Sequence, residues 1–144
     1  WERPQASAPP SLSAPAGWAS VCFTPPEDCT SVIRAELASA RRRVLVQAYS
    51  FTSHPIAEAL VAAHRRGVEV RVLMDSEAAD GPASVRAVLE RARIPVQRDD
   101  PPGIAHNKVI VIDESRVITG SFNFTRAAED RNAENLLVLR DPAL

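Results

Sequence analysis

The sequence predicts an α/β fold, with one mixed, largely parallel sheet flanked by helices on both faces in a single domain. Three observations carry that expectation. Short runs rich in Val, Ile and Leu alternate with segments whose apolar residues recur at helical spacing. Gly, Pro or a basic cluster separates most of these segments from the next. Repeated strand–helix–strand units close through right-handed crossovers, which stack helices on a sheet.

Each element follows in turn. Residues 1–18 hold four prolines among Ala and Ser, a composition that buries little apolar surface, and are expected to form a flexible leader to a folded domain at 19–144. Ser20 to Thr24 is a short strand, stopped by Pro25-Pro26. Asp28 or Thr30 can cap a helix running to about Arg42, with Val32, Ile33, Glu36, Leu37 and Ala40 at helical spacing. Val44 to Ser50 is a strand. Ser53 then caps a second helix with Pro55 in its first turn, where a missing N–H costs nothing, and Gly67 ends it. Val68 to Met74 is a strand, 82–92 a helix, and Ile94 to Val96 a short edge strand. Lys108 to Ile112, Arg116 to Thr119 and Asn135 to Leu139 are three further strands.

The chain has 144 residues and a formal net charge of −1, so it lacks the overall basic footprint common in nucleic-acid binders. Any polyanion must meet local positive charge, and Arg41-Arg42-Arg43 and His64-Arg65-Arg66 are the visible clusters. The plainer reading of both is the solvated end of a helix. No apolar run approaches the ~18–20 residues that span a membrane as a helix. Cys22 and Cys29 are compatible with a disulfide or with two buried thiols.

The chemistry concentrates near the C-terminus. His106 and Lys108 stand two apart at the start of an apolar strand, so they point to one spot while Val109 and Val111 face away. Ser121 and Asn123, after Gly120, repeat the device, with Phe122 and Phe124 on the other side. Two neighbouring strands thereby gather an imidazole, an ammonium, a hydroxyl and an amide, a nucleophile and three donors suited to a phosphate with developing charge. Alone, a His at a strand end is usually a surface residue and Gly-Ser usually a turn. The whole spacing, His-x-Lys-x4-Asp-x6-Gly-Ser-x-Asn, arises by chance on the order of 10⁻⁸ per starting position when each type is used at a few per cent.

With this motif the chain resembles the phospholipase D superfamily, and especially its single-motif bacterial endonucleases. Val21 to Pro25, Gln47 to Thr52, Ala62 to Gly67, Gly120 to Thr125 and Arg131 to Asn135 resemble that subgroup too. The resemblance implies a phospholipase D-like phosphodiesterase domain in which His106 attacks phosphorus while Lys108 and Asn123 bind the non-bridging oxygens. Ser121 stands close by and Glu134 holds the imidazole. Asp113 and Gly120 are expected to be structural supports. His54, Arg65 and Arg66 are candidate substrate contacts, and His54 and His64 are rivals for the role of acid.

Carboxylates with dedicated metal-ligand spacing are missing, since Asp99-Asp100 and the Asp75/Glu77 pair read as loop and strand end; no metal and no cofactor are expected. One motif copy, where longer superfamily members carry two, implies a homodimer with the active site at its two-fold interface. The expected substrate is nucleic acid, DNA or RNA, with a cardiolipin-like lipid as the alternative and a silent binding module as a third reading. No amphipathic segment predicts stable membrane association. The leader and the two cysteines lean toward a periplasmic or secreted setting.

Overall fold

A computed structural model describes residues 17–100 and 102–141, so all but the last two positions of the expected leader lie outside the described residues. The elements are β1 (Ala19–Thr24), α1 (Cys29–Ala38), β2 (Arg43–Ala48), α2 (His54–Arg65), β3 (Glu69–Asp75), α3 (Ser76–Ala79), α4 (Arg86–Arg91), β4 (Val96–Asp99), β5 (Lys108–Ile112), β6 (Arg116–Gly120), α5 (Arg126–Asp130) and β7 (Glu134–Leu139). The seven strands form one sheet in the order β1-β7-β6-β5-β2-β3-β4.

The α/β class and the mixed sheet stand, and two finer expectations need correcting. Only β2–β3 and β3–β4 pair in parallel, while the other four pairings are antiparallel. The cause lies in the connections. β5 turns straight back into β6 through residues 113–115, and the longer link through α5 returns β7 antiparallel beside β6. Only β2, α2, β3, α4 and β4 form parallel crossover units. The second correction concerns the helices. α1 packs on α2 and α2 on α4, so these three cover one face of the sheet. Along β2, β3 and β5 the residues of that face are buried, among them Val46, Val72 and Ile110. The alternate residues Leu45, Leu73 and Val109 are only half-buried, and no second helical layer covers them among the described residues.

The core unites Ile33 and Leu37 of α1 with Ile56 and Leu60 of α2 and the buried face of the sheet. Burying each such side chain contributes roughly 1.5–3 kcal/mol. Asp28 caps α1 by accepting from the Ser31 N–H at 2.8 Å. A disulfide joins Cys22 on β1 to Cys29 at the start of α1, both buried. A loop this short is worth about 2–3 kcal/mol by chain entropy.

α1 stops at Ala38 rather than near Arg42, and Asp113 is the reason. Its carboxylate accepts the backbone N–H groups of Arg41, Arg42 and Arg43 at 2.9, 2.7 and 3.0 Å, which curls that segment around the carboxylate before β2 begins. It also pairs with Arg116 at 3.2 Å. Burial is the strongest single influence on this carboxyl and opposes its charge. The three N–H groups, with Arg116 after them, outweigh burial together and hold it below the usual carboxylate range. Asp113→Ala strands three donors and is expected to cost about 2–4 kcal/mol at neutral pH. Because the folded state binds the proton less readily than the unfolded chain, this contribution is present above about pH 4. It fades as pH falls through the lowered folded-state value. Denaturant titrations of wild type and variant at neutral and acid pH should therefore converge toward low pH; a constant gap would overturn the assignment.

Candidate active site

The C-terminal ends of β2, β3 and β6 meet the N-terminal ends of β5 and β7 along one edge of the sheet, the edge where open α/β sheets place ligands. Ala48 pairs with Lys108, and Val109 with Thr119, so the next step of the ladder sets Lys108 beside Gly120. Register alone thus brings both halves of the motif together.

His106 is exposed, on the segment that leads into β5. Two anchors fix that segment. The Ala105 N–H donates to Asp75 Oδ2 at 2.9 Å, and the Tyr49 N–H donates to the Asn107 carbonyl at 2.7 Å. Asp75 is itself buried. The Ala105 N–H and then the Ala78 N–H hold its carboxyl below the usual range against the opposing effect of burial. Lys108 is only 7 % exposed, its stem in the core and its Nζ donating to the His106 carbonyl at 3.0 Å. Burial lowers the pKa of this ammonium, and the charge of Glu134 partly restores it. The Tyr49 ring touches both groups. Its centroid lies 4.5 Å from that of the imidazole at 62°, and Lys108 Nζ lies 5.1 Å from it.

The second half of the motif is set by Gly120. Its φ is +145°, and a Cβ there would fall 2.3 Å from the Asn135 carbonyl oxygen. That approach lets the same carbonyl accept the N–H groups of Ser121 and Phe122 at 3.1 and 3.2 Å. Phe122 and Phe124 point into the core as the alternation predicted, and Phe124 meets Phe51 edge to face at 5.6 Å. Ser121 Oγ donates to Glu134 Oε2 at 2.5 Å and accepts from the Asn135 N–H at 3.1 Å. Asn123 Oδ1 is buried without a hydrogen-bond partner among the described residues. A half-turn of this amide would present N–H donors instead, which suit a phosphate oxygen.

Other expected roles fare differently. The Glu134 carboxylate is engaged by Ser121 and by Asn132 Nδ2 at 2.9 Å, so no bond from Glu134 holds the His106 ring here. Its charge reaches Lys108 instead. His54 opens α2 at the active-site end, in a cleft it shares with Arg34 and Arg126. Arg65 and Arg66 lie at the other end of α2, about 18 Å away at 1.5 Å per residue, and so do not line the site. Arg66 instead caps α1, donating to the Leu37 and Ala38 carbonyls at 3.0 and 3.2 Å. His64 shares that end, with its Nδ1 buried and unpartnered among the described residues.

Sequence reasoning assigned no role to Tyr49 or Asp75. Tyr49 is the chain's one tyrosine, placed where an aliphatic strand ends, and Asp75 is an acid closing the apolar run of β3. Those were the available signals. Among the described residues no group of three or more His, Cys, Asp and Glu stands where it could hold a metal ion.

Comparison with known proteins places this geometry. Residues 33–144 match the family model described as "Cardiolipin synthase, PLD-like domain". A "Phospholipase D" from Rickettsia conorii is 48 % identical over 125 residues, covering 87 % of this chain and 62 % of the relative. A "Mitochondrial cardiolipin hydrolase" from Xenopus laevis is 35 % identical over 114 residues, or 79 % of this chain and 54 % of that protein. The chain thus spans less than two thirds of the length of these curated relatives. Among solved structures, the phospholipase D family member Nuc from Salmonella typhimurium superposes with a TM-score of 0.81. It shares 38 % identity, over 85 % of this chain and 82 % of that one.

Proposed function

The chain belongs to the phospholipase D-like family, and on that premise we propose that it hydrolyses phosphodiester bonds of nucleic acid, as an endonuclease of DNA. The observation that carries this reading is the convergence of His106, Lys108, Ser121, Glu134 and Asn123 on one sheet edge. The resemblance of the motif and its flanking segments to single-motif bacterial endonucleases favours a polynucleotide over other diesters.

The chemistry balances in two steps. One ring nitrogen of His106 attacks phosphorus, forming a P–N bond as the P–O bond to the leaving oxygen breaks. The ammonium of Lys108 and the amide of Asn123 neutralise charge on the non-bridging oxygens. An acid gives the leaving oxygen its proton. Water then attacks phosphorus, the P–N bond breaks, and the former acid takes the water's proton. One copy supplies one His106, so a second copy across a two-fold axis supplies the acid. No metal takes part in this scheme. The Cys22–Cys29 disulfide supports a periplasmic or extracellular setting, because such bonds persist where thiols are oxidised.

A second reading, hydrolysis of a lipid such as cardiolipin, rests on the names of the curated relatives and of the family model. Supercoiled plasmid and cardiolipin vesicles, each incubated with the protein in excess EDTA, separate the two. Nicking of plasmid without lipid turnover is expected. Turnover confined to the vesicles would replace the nuclease reading, and plasmid cleavage that EDTA abolishes would overturn the metal-free scheme.

A further inference from the structure

We propose that Tyr49 is a positioning residue for the reaction, its ring orienting the His106 imidazole and the Lys108 ammonium together. The inference rests on the reading of His106 as the nucleophile and adds a residue to it. Three contacts converge here. The Tyr49 N–H holds the Asn107 carbonyl, which fixes the backbone between the two catalytic groups. The ring then meets the imidazole at 4.5 Å and the ammonium at 5.1 Å. No other aromatic ring meets either group among the described residues.

What the ring does for each follows from its charge distribution. An aromatic ring is negative on its face and positive at its edge, so a near-perpendicular neighbour is held at a preferred angle. His106 is exposed, and an exposed side chain otherwise samples several rotamers. The contact restricts it to the arrangement beside Lys108. The ammonium is buried and desolvated, and attraction to the ring face favours its charged form. The titratable groups around Lys108 are Glu134 on β7 and Tyr49, with the His106 imidazole on the same ring and its backbone carbonyl accepting from Nζ. Glu134 and the ring both act against desolvation. All of these effects belong to the π system, so the phenolic hydroxyl is dispensable and a Phe serves nearly as well.

The test uses Tyr49→Phe, Tyr49→Leu and Tyr49→Met with bis(4-nitrophenyl) phosphate, a diester that reports the chemistry whether the natural substrate is nucleic acid or lipid. The Leu and Met variants are expected to lose about 10- to 100-fold in kcat with little change in KM. The alkaline limb of their pH–rate profiles, where both the imidazolium acid and the Lys108 ammonium must stay charged, should move to lower pH, because each cation loses the ring as a partner. Tyr49→Phe should stay within about threefold of wild type and keep the limb in place. A readout without turnover runs in parallel. His106 side-chain couplings measured by NMR should report one rotamer in wild type and Tyr49→Phe, and averaging in Tyr49→Leu and Tyr49→Met. If the wild type leaves the diester intact while the couplings behave as stated, the phosphodiesterase reading fails and the positioning role stands. A single His106 rotamer in the Leu and Met variants, or wild-type kcat and limb in them, overturns the proposal. So does a loss in Tyr49→Phe equal to that in Tyr49→Leu, which would assign the role to the hydroxyl.

Discussion

Replacing His106 by alanine is expected to lower plasmid cleavage by about 10³-fold or more while leaving the fold in place. Both halves of that expectation come from its position. The imidazole is exposed on the segment before β5, and what fixes the segment is backbone hydrogen bonding to Asp75 and Tyr49. Removing an exposed side chain of this kind costs within about 0.5 kcal/mol. The loss in rate is large because no other group near phosphorus is a nucleophile of equal strength. Lys108 Nζ is buried and turned to the His106 carbonyl, and the Ser121 hydroxyl is committed to Glu134. Denaturing an early time point in alkali, where a phosphohistidine survives, should capture labelled phosphate on the wild type and none on the variant. Cleavage by His106→Ala near the wild-type rate would remove the histidine from the mechanism. Cleavage without a captured intermediate in the wild type would keep the histidine and replace nucleophilic attack with base catalysis of water.

The candidate site was more legible in the sequence than its supports were. His106, Lys108, Ser121 and Asn123 were legible from their spacing, although only Lys108 lies on a strand: His106 precedes β5, and Ser121 and Asn123 follow β6. Phe122 and Phe124 nevertheless alternate with Ser121 and Asn123, both of them buried. The end of α1 was not legible, because helical spacing continues through Ala40 while the chain is curled out of the helix by an aspartate seventy residues away. The share of parallel strands was misjudged for a related reason. Apolar runs reveal strands but not their direction: the tight β5–β6 turn forces one antiparallel pairing, and the link through α5 returns β7 antiparallel although its length would also allow a crossover. Arg65 and Arg66 looked like a phosphate-binding cluster from composition alone. A helix of this length carries them to the far end of the domain, where Arg66 caps α1. Glu134 was found, but its partner was not, since two neighbours compete for its oxygens and only three-dimensional packing ranks them.

Gly120→Ala should be the most damaging small substitution in the domain, costing roughly 2–4 kcal/mol in stability. The added methyl would lie 2.3 Å from a backbone oxygen of β7, and backbone cannot rotate out of the way as a side-chain tip can. Relief requires β6 and β7 to separate, which breaks the bonds that the Asn135 carbonyl accepts from Ser121 and Phe122. Those bonds aim Ser121 and Asn123, so activity should fall by about 10²-fold even in the fraction that stays folded. Gly67→Ala supplies the control that separates crowding from backbone strain. Gly67 also has a positive φ, +91°, but a Cβ there meets nothing within 4 Å. It should cost about 1 kcal/mol, the strain alone, with kcat unchanged. Chemical denaturation and steady-state rates for the two variants decide the matter. Equal losses of stability would mean that backbone strain, not the approach of β7, is what demands glycine at 120. A Gly120→Ala variant that is destabilised yet fully active would show that Ser121 and Asn123 do not depend on the Asn135 carbonyl for their placement.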